Sequence, residues 1–327
     1  LGVDTETEGF DFTCKKLIMF QIGDKERQYV IDTRVIDISP LRDILESDKI
    51  IKVLHNAKFD YKFIKKWAGI SLEEIYDTFL VERVLHCGKQ DHGYSLARCT
   101  ERYLNQVLDK ETRNKFIGLK GQPYTVDQIT YGANDVVYLL DIREKQLALL
   151  RNFELEQVAR LENKVVKVFS EIEYEGLNID EDKWTAMAEQ NVKLAYEQEL
   201  KLDDIVLAHP LLQHYRVPVQ VDMFAAMDEV RKTHIKWSSP LQILELFQNL
   251  VPDLEDVNGK KLNKHRYKHP LIDEYIRYKE RTKLANAYGT KFFNYVNCDG
   301  KVHTNFSQIL DTGRVSSSKP NMQQIPS

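Results

Sequence analysis

Three short acidic clusters follow one another through the first 150 residues: Asp4-Thr5-Glu6, the Asn56–Asp60 stretch of HNAKFD, and Tyr131–Asp135 in YGAND. They supply four carboxylates (Asp4, Glu6, Asp60 and Asp135) and one tyrosine, Tyr131. Carboxylates converging on one spot repel each other unless cations sit between them. Hard oxygen donors with room for water favour Mg²⁺ or Mn²⁺ over zinc. Two such ions roughly 4 Å apart activate a water and stabilise the leaving oxygen of an in-line displacement, the chemistry of phosphodiester cleavage. The Tyr131 hydroxyl, beside Asp135, could orient the attacking water. A lone D-x-E in a chain with 50 Asp and Glu is ordinary solvated surface. The ordered conjunction of three clusters carries the reading.

These groups need elements that bring them together. The first cluster ends the apolar run Leu1-Gly2-Val3, and LIMFQIG and YVID follow as β-type segments. On a strand, positions two apart face one side, so Asp4 and Glu6 point together. Ile50 to Leu54 is another strand candidate. In the FDYKFIKKWAGI stretch after it, Phe59, Phe63 and Trp67 recur every four residues. That periodicity predicts a helix with Asp60 in its first turn, where a carboxylate suits the dipole. Thr125 to Gln128 fits a capping box, and the apolar pattern after it carries a helix to about Leu150. Tyr131 and Asp135, four apart, share a face of that helix.

On these motifs the first 150 residues resemble the DEDD 3′–5′ exonucleases of the tyrosine-bearing subclass. DTET matches the first motif, N-x-x-F-D of Asn56 to Asp60 the second, and Y-x-x-x-D of Tyr131 to Asp135 the third. The resemblance implies an α/β, RNase H-like (DnaQ-like) domain, a mixed sheet with flanking helices. It implies Asp4, Glu6, Asp60 and Asp135 as ligands of two Mg²⁺ (or Mn²⁺) ions, and Tyr131 as the residue that orients the nucleophilic water. Asn56 joins them as a candidate DNA contact. Tyr76-Asp77-Thr78 through Leu85 looks like the family's DT-x-L segment, and Ser95-Leu96-Ala97 opens a helix it also shares. His55 stands where other members often carry glutamine.

Composition bounds the rest. A chain of 327 residues predicts two or three domains. Its 43% apolar and 29% charged residues are those of a soluble globular protein. No apolar run approaches the length of a membrane span, and no secretory signal opens the chain. A cytoplasmic setting, in a bacterial cell or a phage-infected host, is expected. Leu1 in place of Met implies that upstream sequence has been removed. Cys14, Cys87, Cys99 and Cys298 form no C-x-x-C pair and give no basis for a zinc site or a disulfide framework. Net charge is −4, yet Lys260 to Lys291 hold ten Lys or Arg against three Asp or Glu. Tyr267, Tyr275, Tyr278 and Tyr288 are interleaved with those bases. Such a segment predicts contact with a phosphate backbone, with Lys279, Arg281 and Lys283 as candidate residues.

From Leu155 the pattern is helical. Val158, Leu161, Val165, Val168, Phe169 and Ile172 make an amphipathic helix that Gly176 stops. A further helix is predicted from about Glu181. Ser238-Ser239-Pro240 reads as a serine N-cap with an early proline, and Leu271 to Tyr288 as another helix. Ile205 to Thr233 yields no chemistry. Glu173 to Asp180 (E-x-x-G-x-x-I-D), S-S-P-x-Q, V-H-T, T-G-R-x-S-S and P-N-x-Q-x-I-P occur in the order found in family A DNA polymerases. That resemblance implies an exonuclease domain over 1–152, a connecting helix and mainly helical thumb over 153–291, and the first part of a palm over 292–327. His303, Arg314, Asn321, Gln323 and Gln324 become candidates for holding primer–template DNA. The family's palm carboxylates come after this point, so the chain reads as a fragment. The expected activity is hydrolysis of 3′-terminal phosphodiesters on single-stranded ends during replication, a proofreading reaction releasing nucleoside monophosphates. An RNase D-like RNA exonuclease and a catalytically decayed DNA-binding module are the alternatives.

Overall fold

The computed structural model describes residues 1–89, 91–108, 116, 119, 121–217 and 233–325. The chain divides into two compact units, Leu1–Asn178 with Tyr295–Ser327, and Ile179–Asn294. The helix expected to open a connecting region, and most of the strip expected to begin a palm, therefore belong to the same unit as the acidic clusters.

The first unit is built on strands β1 (Gly2–Thr7), β2 (Leu17–Gly23), β3 (Gln28–Asp32), β4 (Lys52–Leu54) and β5 (Ile75–Asp77), ordered β3-β2-β1-β4-β5. The first three form an antiparallel meander, and β4 and β5 join in parallel, giving a mixed sheet. All seven positions of β2 are buried, as a strand covered on both faces requires. A short helix α1 (Arg42–Leu45) precedes β4, and α2 (Lys58–Ala68) crosses from β4 to β5. Then come α3 (Thr78–His86), α4 (Leu96–Leu104), α5 (Val126–Asn152) and α6 (Glu156–Glu175). The α/β, RNase H-like arrangement implied by the motifs is present. The Thr125–Gln128 capping box forms as read, Gln128 N–H donating to Thr125 Oγ1 and Thr125 N–H to Gln128 Oε1.

Helix α6 departs from expectation. Much of its apolar stripe is left uncovered, with Val158, Leu161, Val168 and Ile172 about half exposed, while Val165 is half-buried and Phe169 packs on Phe306. The buried positions are Ala159, Val166, Ser170 and Glu173. Polar bonds form on its inner side: Asn163 accepts from the Asp77 N–H at 2.7 Å, and Glu173 is enclosed by cations. Gly176 ends the helix at φ +62°, and a Cβ there would lie 2.6 Å from the His303 ring. Beyond it, β6 (Leu177–Asn178) pairs with β7 (Lys301–Val302), and β8 (Asn305–Ser307) with β9 (Ser316–Ser318).

The second unit is helical: α7 (Glu181–Ala208), α8 (Pro240–Gln248), α9 (Gly259–Lys264) and α10 (Pro270–Ala287). Asp180 caps α7 through the Lys183 N–H. Ser239 holds the N-cap position of α8 with Pro240 following, but its side chain makes no capping bond. Helices α7 and α10 pack along each other around Trp237, Phe247 and Tyr275. Leu271, Ile272 and Ile276 are buried there, each contributing about 1.5–3 kcal/mol over an exposed position. Buried Asp203 accepts from Trp237 Nε1 at 2.9 Å and Thr233 Oγ1 at 2.7 Å. Of the segment that yielded no chemistry, 218–232 lies outside the described residues.

Candidate metal centre

Strand β1 presents Asp4 and Glu6 on one face, and α5 brings Asp135 to them. Two glycines make that approach possible. A Cβ on Gly2 would stand 2.6 Å from the Val136 carbonyl oxygen, and one on Gly132 2.8 Å from Gln21 Nε2. The Gly2 contact is with backbone, which cannot give way, so glycine is required there for α5 to lie this near β1. At Gly132 a larger residue would have to displace the Gln21 amide. One carboxylate oxygen from each of Asp4, Glu6 and Asp135 lies within 4.8 Å of the other two. Glu6 is 9% exposed and Asp135 2%.

Asp60 approaches from α2, although it is not one of that trio. Its Oδ1 accepts from Thr5 Oγ1 at 2.5 Å. Burial, then the Asp4 charge, push its carboxyl well above the usual carboxylate range. The Tyr131 phenol is also pushed up, by burial first and then by Asp135, Glu6 and Asp4. Burial leads both shifts, and the neighbouring carboxylates add a negative potential that a divalent cation would offset. The donors are all oxygens, and this set fits Mg²⁺ or Mn²⁺ rather than a thiophilic metal.

Helix α2 is set in place by groups the motifs did not flag as structural. Asp77, 1% exposed, accepts from Asn56 N–H at 2.9 Å and Ala57 N–H at 2.8 Å at the start of α2. It also accepts from Phe79 and Leu80 N–H at the start of α3. One carboxylate thus serves two helix N-termini, the pattern the helix dipole favours. Burial raises its pKa against those four bonds. Asn56 takes φ +64° to present its N–H. At the other side, Glu173, fully buried, pairs with Lys58 and Lys62 of α2 and accepts from Phe306 N–H at 2.7 Å. Lys58 also donates to the Phe306 carbonyl. The helix carrying Asp60 is thereby fastened to α6 and β8.

The candidate DNA residues divide. Asn56, Arg281, Lys283, Arg314 and Gln324 are exposed. Lys279 is exposed too, but its Nζ donates to the Val257 carbonyl at 3.0 Å and lies 5.8 Å from the Tyr275 ring. Asn321 caps the turn Met322–Gln324, and Gln323 Oε1 accepts from Ser317 N–H at 3.1 Å. His303 faces inward: Nδ1 lies 2.7 Å from the Glu173 carbonyl, Nε2 3.0 Å from Asp299, and its side chain is 5% exposed. Of the interleaved tyrosines, Tyr275, Tyr278 and Tyr288 are buried, and Tyr267 alone of the four is exposed. They alternate with the bases because one face of α10 is core and the other is solvent.

Comparison with known proteins places the two halves. Residues 1–150 match the family model described as 3′-5′ exonuclease, and residues 221–327 the model described as DNA polymerase family A. A DNA polymerase I of Aquifex aeolicus is 26% identical over 99% of this chain and 54% of its own length. A ribonuclease D of Sphingobium indicum is 30% identical, over 46% of this chain and 38% of its own. The chain spans about half, or less, of these relatives. A solved structure, the POL domain of Pol1 from M. smegmatis in complex with DNA primer-template and dNTP, superposes with TM-score 0.70 at 20% identity. That match covers all of this chain and 52% of the other, and it supports the fold.

Proposed function

With the chain belonging to the family A DNA polymerases, we propose that its first unit removes nucleotides from DNA 3′ ends as the proofreading part of a larger polymerase. The observation that carries this reading is the convergence of Asp4, Glu6 and Asp135, with Tyr131 under the same negative potential.

Asp4, Glu6 and Asp135 would hold two Mg²⁺ or Mn²⁺ ions, with Asp60 completing the set. Those ions, when bound, supply a nucleophile at neutral pH and stabilise charge on the leaving oxygen. Tyr131 orients the attacking water through its hydroxyl. A paired 3′ terminus must be unstacked before it reaches the site, so single strands and frayed ends are the substrates. Arg281, Lys283 and Lys279 of the second unit, and Arg314 and Gln324 of the first, are exposed and would serve as phosphate and groove contacts for primer–template DNA. The ribonuclease D alternative accounts for the first 150 residues only. The polymerase model over 221–327 favours DNA.

The test is digestion of 5′-labelled single-stranded DNA and RNA of one sequence with Mg²⁺. Stepwise shortening of DNA with release of nucleoside monophosphates, abolished by EDTA while DNA binding persists, is expected. Preferential digestion of RNA would favour the ribonuclease reading, and no Mg²⁺-dependent digestion would favour a decayed module.

A further inference from the structure

Asp11, Cys14 and Cys298 meet at one point of the first unit, though Asp11 and Cys298 are 287 positions apart in sequence. Asp11 lies in the β1–β2 loop, and Cys298 in the turn before β7. Asp11 Oδ2 is 3.5 Å from Cys14 Sγ and 4.0 Å from Cys298 Sγ. One donor atom from each of the three residues lies within 4.8 Å of the others.

The two oxygens of Asp11 have different surroundings. Oδ1 accepts from Thr13 N–H at 2.9 Å, Thr13 Oγ1 at 2.6 Å and Asn297 Nδ2 at 3.0 Å. Those bonds fix the carboxylate with Oδ2 turned to the sulfurs and keep it ionised, its pKa held below the usual carboxylate range despite partial burial. A carboxylate anchored through one oxygen, with the other aimed at further donors, is the arrangement around metal ligands. Two sulfurs and one oxygen do not suit Mg²⁺ or Ca²⁺. They suit Zn²⁺ and its thiophilic relatives.

We propose that Asp11 Oδ2, Cys14 Sγ and Cys298 Sγ bind one thiophilic divalent cation, separate from the oxygen-only cluster at Asp4, Glu6 and Asp135. Both cysteines are exposed, which leaves a fourth position for water. Binding releases the two thiol protons to solvent while Asp11 is already ionised, so the three anionic ligands and the dication carry a net −1. The ion ties the loop that follows Glu6 to the turn before β7. A second cluster, Glu82, His86 and His92, is a weaker candidate. Glu82 already accepts from Arg102 at 2.6 Å, Tyr103 at 2.7 Å and Gln146 at 2.9 Å, so a cation's place is filled by a guanidinium.

The experiment titrates Co²⁺ into the reduced full chain in excess Mg²⁺, which occupies oxygen ligands but not thiolates. A thiolate-to-cobalt charge-transfer band saturating at one equivalent, bleached by Zn²⁺, is expected. Cys14→Ser and Cys298→Ser should each abolish it, whereas Cys87→Ser should retain it. Asn297→Ala should weaken Co²⁺ binding about 10–100-fold, the scale of losing an outer hydrogen bond to a ligand. Absence of the band, or its survival in both Cys14→Ser and Cys298→Ser, overturns the proposal. So does a Cys14–Cys298 disulfide in the unreduced protein when the reduced protein gives no band, since the pair would then be a redox cross-link.

Discussion

Thr5 donates its hydroxyl to Asp60 across 2.5 Å, so the residue between two candidate ligands on β1 holds a third one on α2. Alternation along a strand sends Thr5 to the face opposite Asp4 and Glu6. The bond therefore links the two faces of β1 and favours the ionised form of a buried carboxyl that Asp4 disfavours.

Thr5→Val keeps the shape and removes the donor. A hydrogen bond to a charged group is worth about 1.5–3 kcal/mol, so Mg²⁺-dependent digestion should fall roughly 10–100-fold or require correspondingly more Mg²⁺. Half-maximal Mg²⁺ for shortening a 5′-labelled single strand measures it. An unchanged Mg²⁺ curve and rate would mean the bond has no bearing on the site.

Asp4→Ala and Asp135→Ala should each cost at least on the order of 10³-fold in rate, the scale of removing a major electrostatic stabiliser. Tyr131→Phe should keep metal binding and lose only part of the rate, because only a water-orienting hydroxyl disappears. Near-normal digestion by both alanine variants would refute the metal assignment.

Glu173→Gln leaves Lys58 buried without its counter-charge. Breaking one side of a buried ion pair costs about 3–5 kcal/mol, so the urea midpoint should drop sharply with an unchanged m-value. A loss below about 1 kcal/mol would place the pair among surface-like bridges.

Much of the acidic site was legible because strand and helix periodicities are local: D-T-E sets one face of β1, and Y-x-x-x-D one face of α5. The supports were not. Lys58, Glu173 and Phe306 are bound together across separations of 115 and 248 positions, and no spacing rule reaches so far. Asp77 was visible as part of a motif but not as the cap of two helices. In α6 the apolar periodicity was real, yet much of that stripe stays exposed while Asn163 and Glu173 bond inward. In α10 the tyrosines were read with the bases although they line the other side.

His86 supplies a pH signature. Burial, opposed by Glu82 and reinforced by His92, Lys89 and Arg102, lowers its pKa from 6.5 to about 4. Between those values the unfolded chain takes up a proton that the folded protein refuses. Stability therefore falls as pH drops through the window, by at most about 1.4 kcal/mol per pH unit. His86→Gln should flatten the urea midpoint against pH between 6.5 and 4 relative to the parent. Parallel curves would remove His86 from that dependence.

Neutralising Lys279, Arg281 and Lys283 together should weaken duplex binding alike across sequences and reduce the slope of log K against log salt by about 0.9 per lost phosphate contact. Because Lys279 also holds the Val257 carbonyl, the Arg281 and Lys283 pair alone should give most of the change. An unaltered salt slope would make these bases merely solvated.

The first unit is discontinuous, its last piece beginning at Tyr295. Phe306 adds the last bonds to the Glu173–Lys58 clamp on α2, and all of Ile179–Asn294 must be synthesised before it. At ~5–20 residues per second, a nascent chain waits on the order of ten seconds between finishing α5 and receiving that closing residue. During this interval the Asp60 helix has its Asp77 cap but only part of its anchor. Nuclease competence on the ribosome should therefore appear late, after the inserted helical unit has emerged, rather than when the exonuclease motifs are complete.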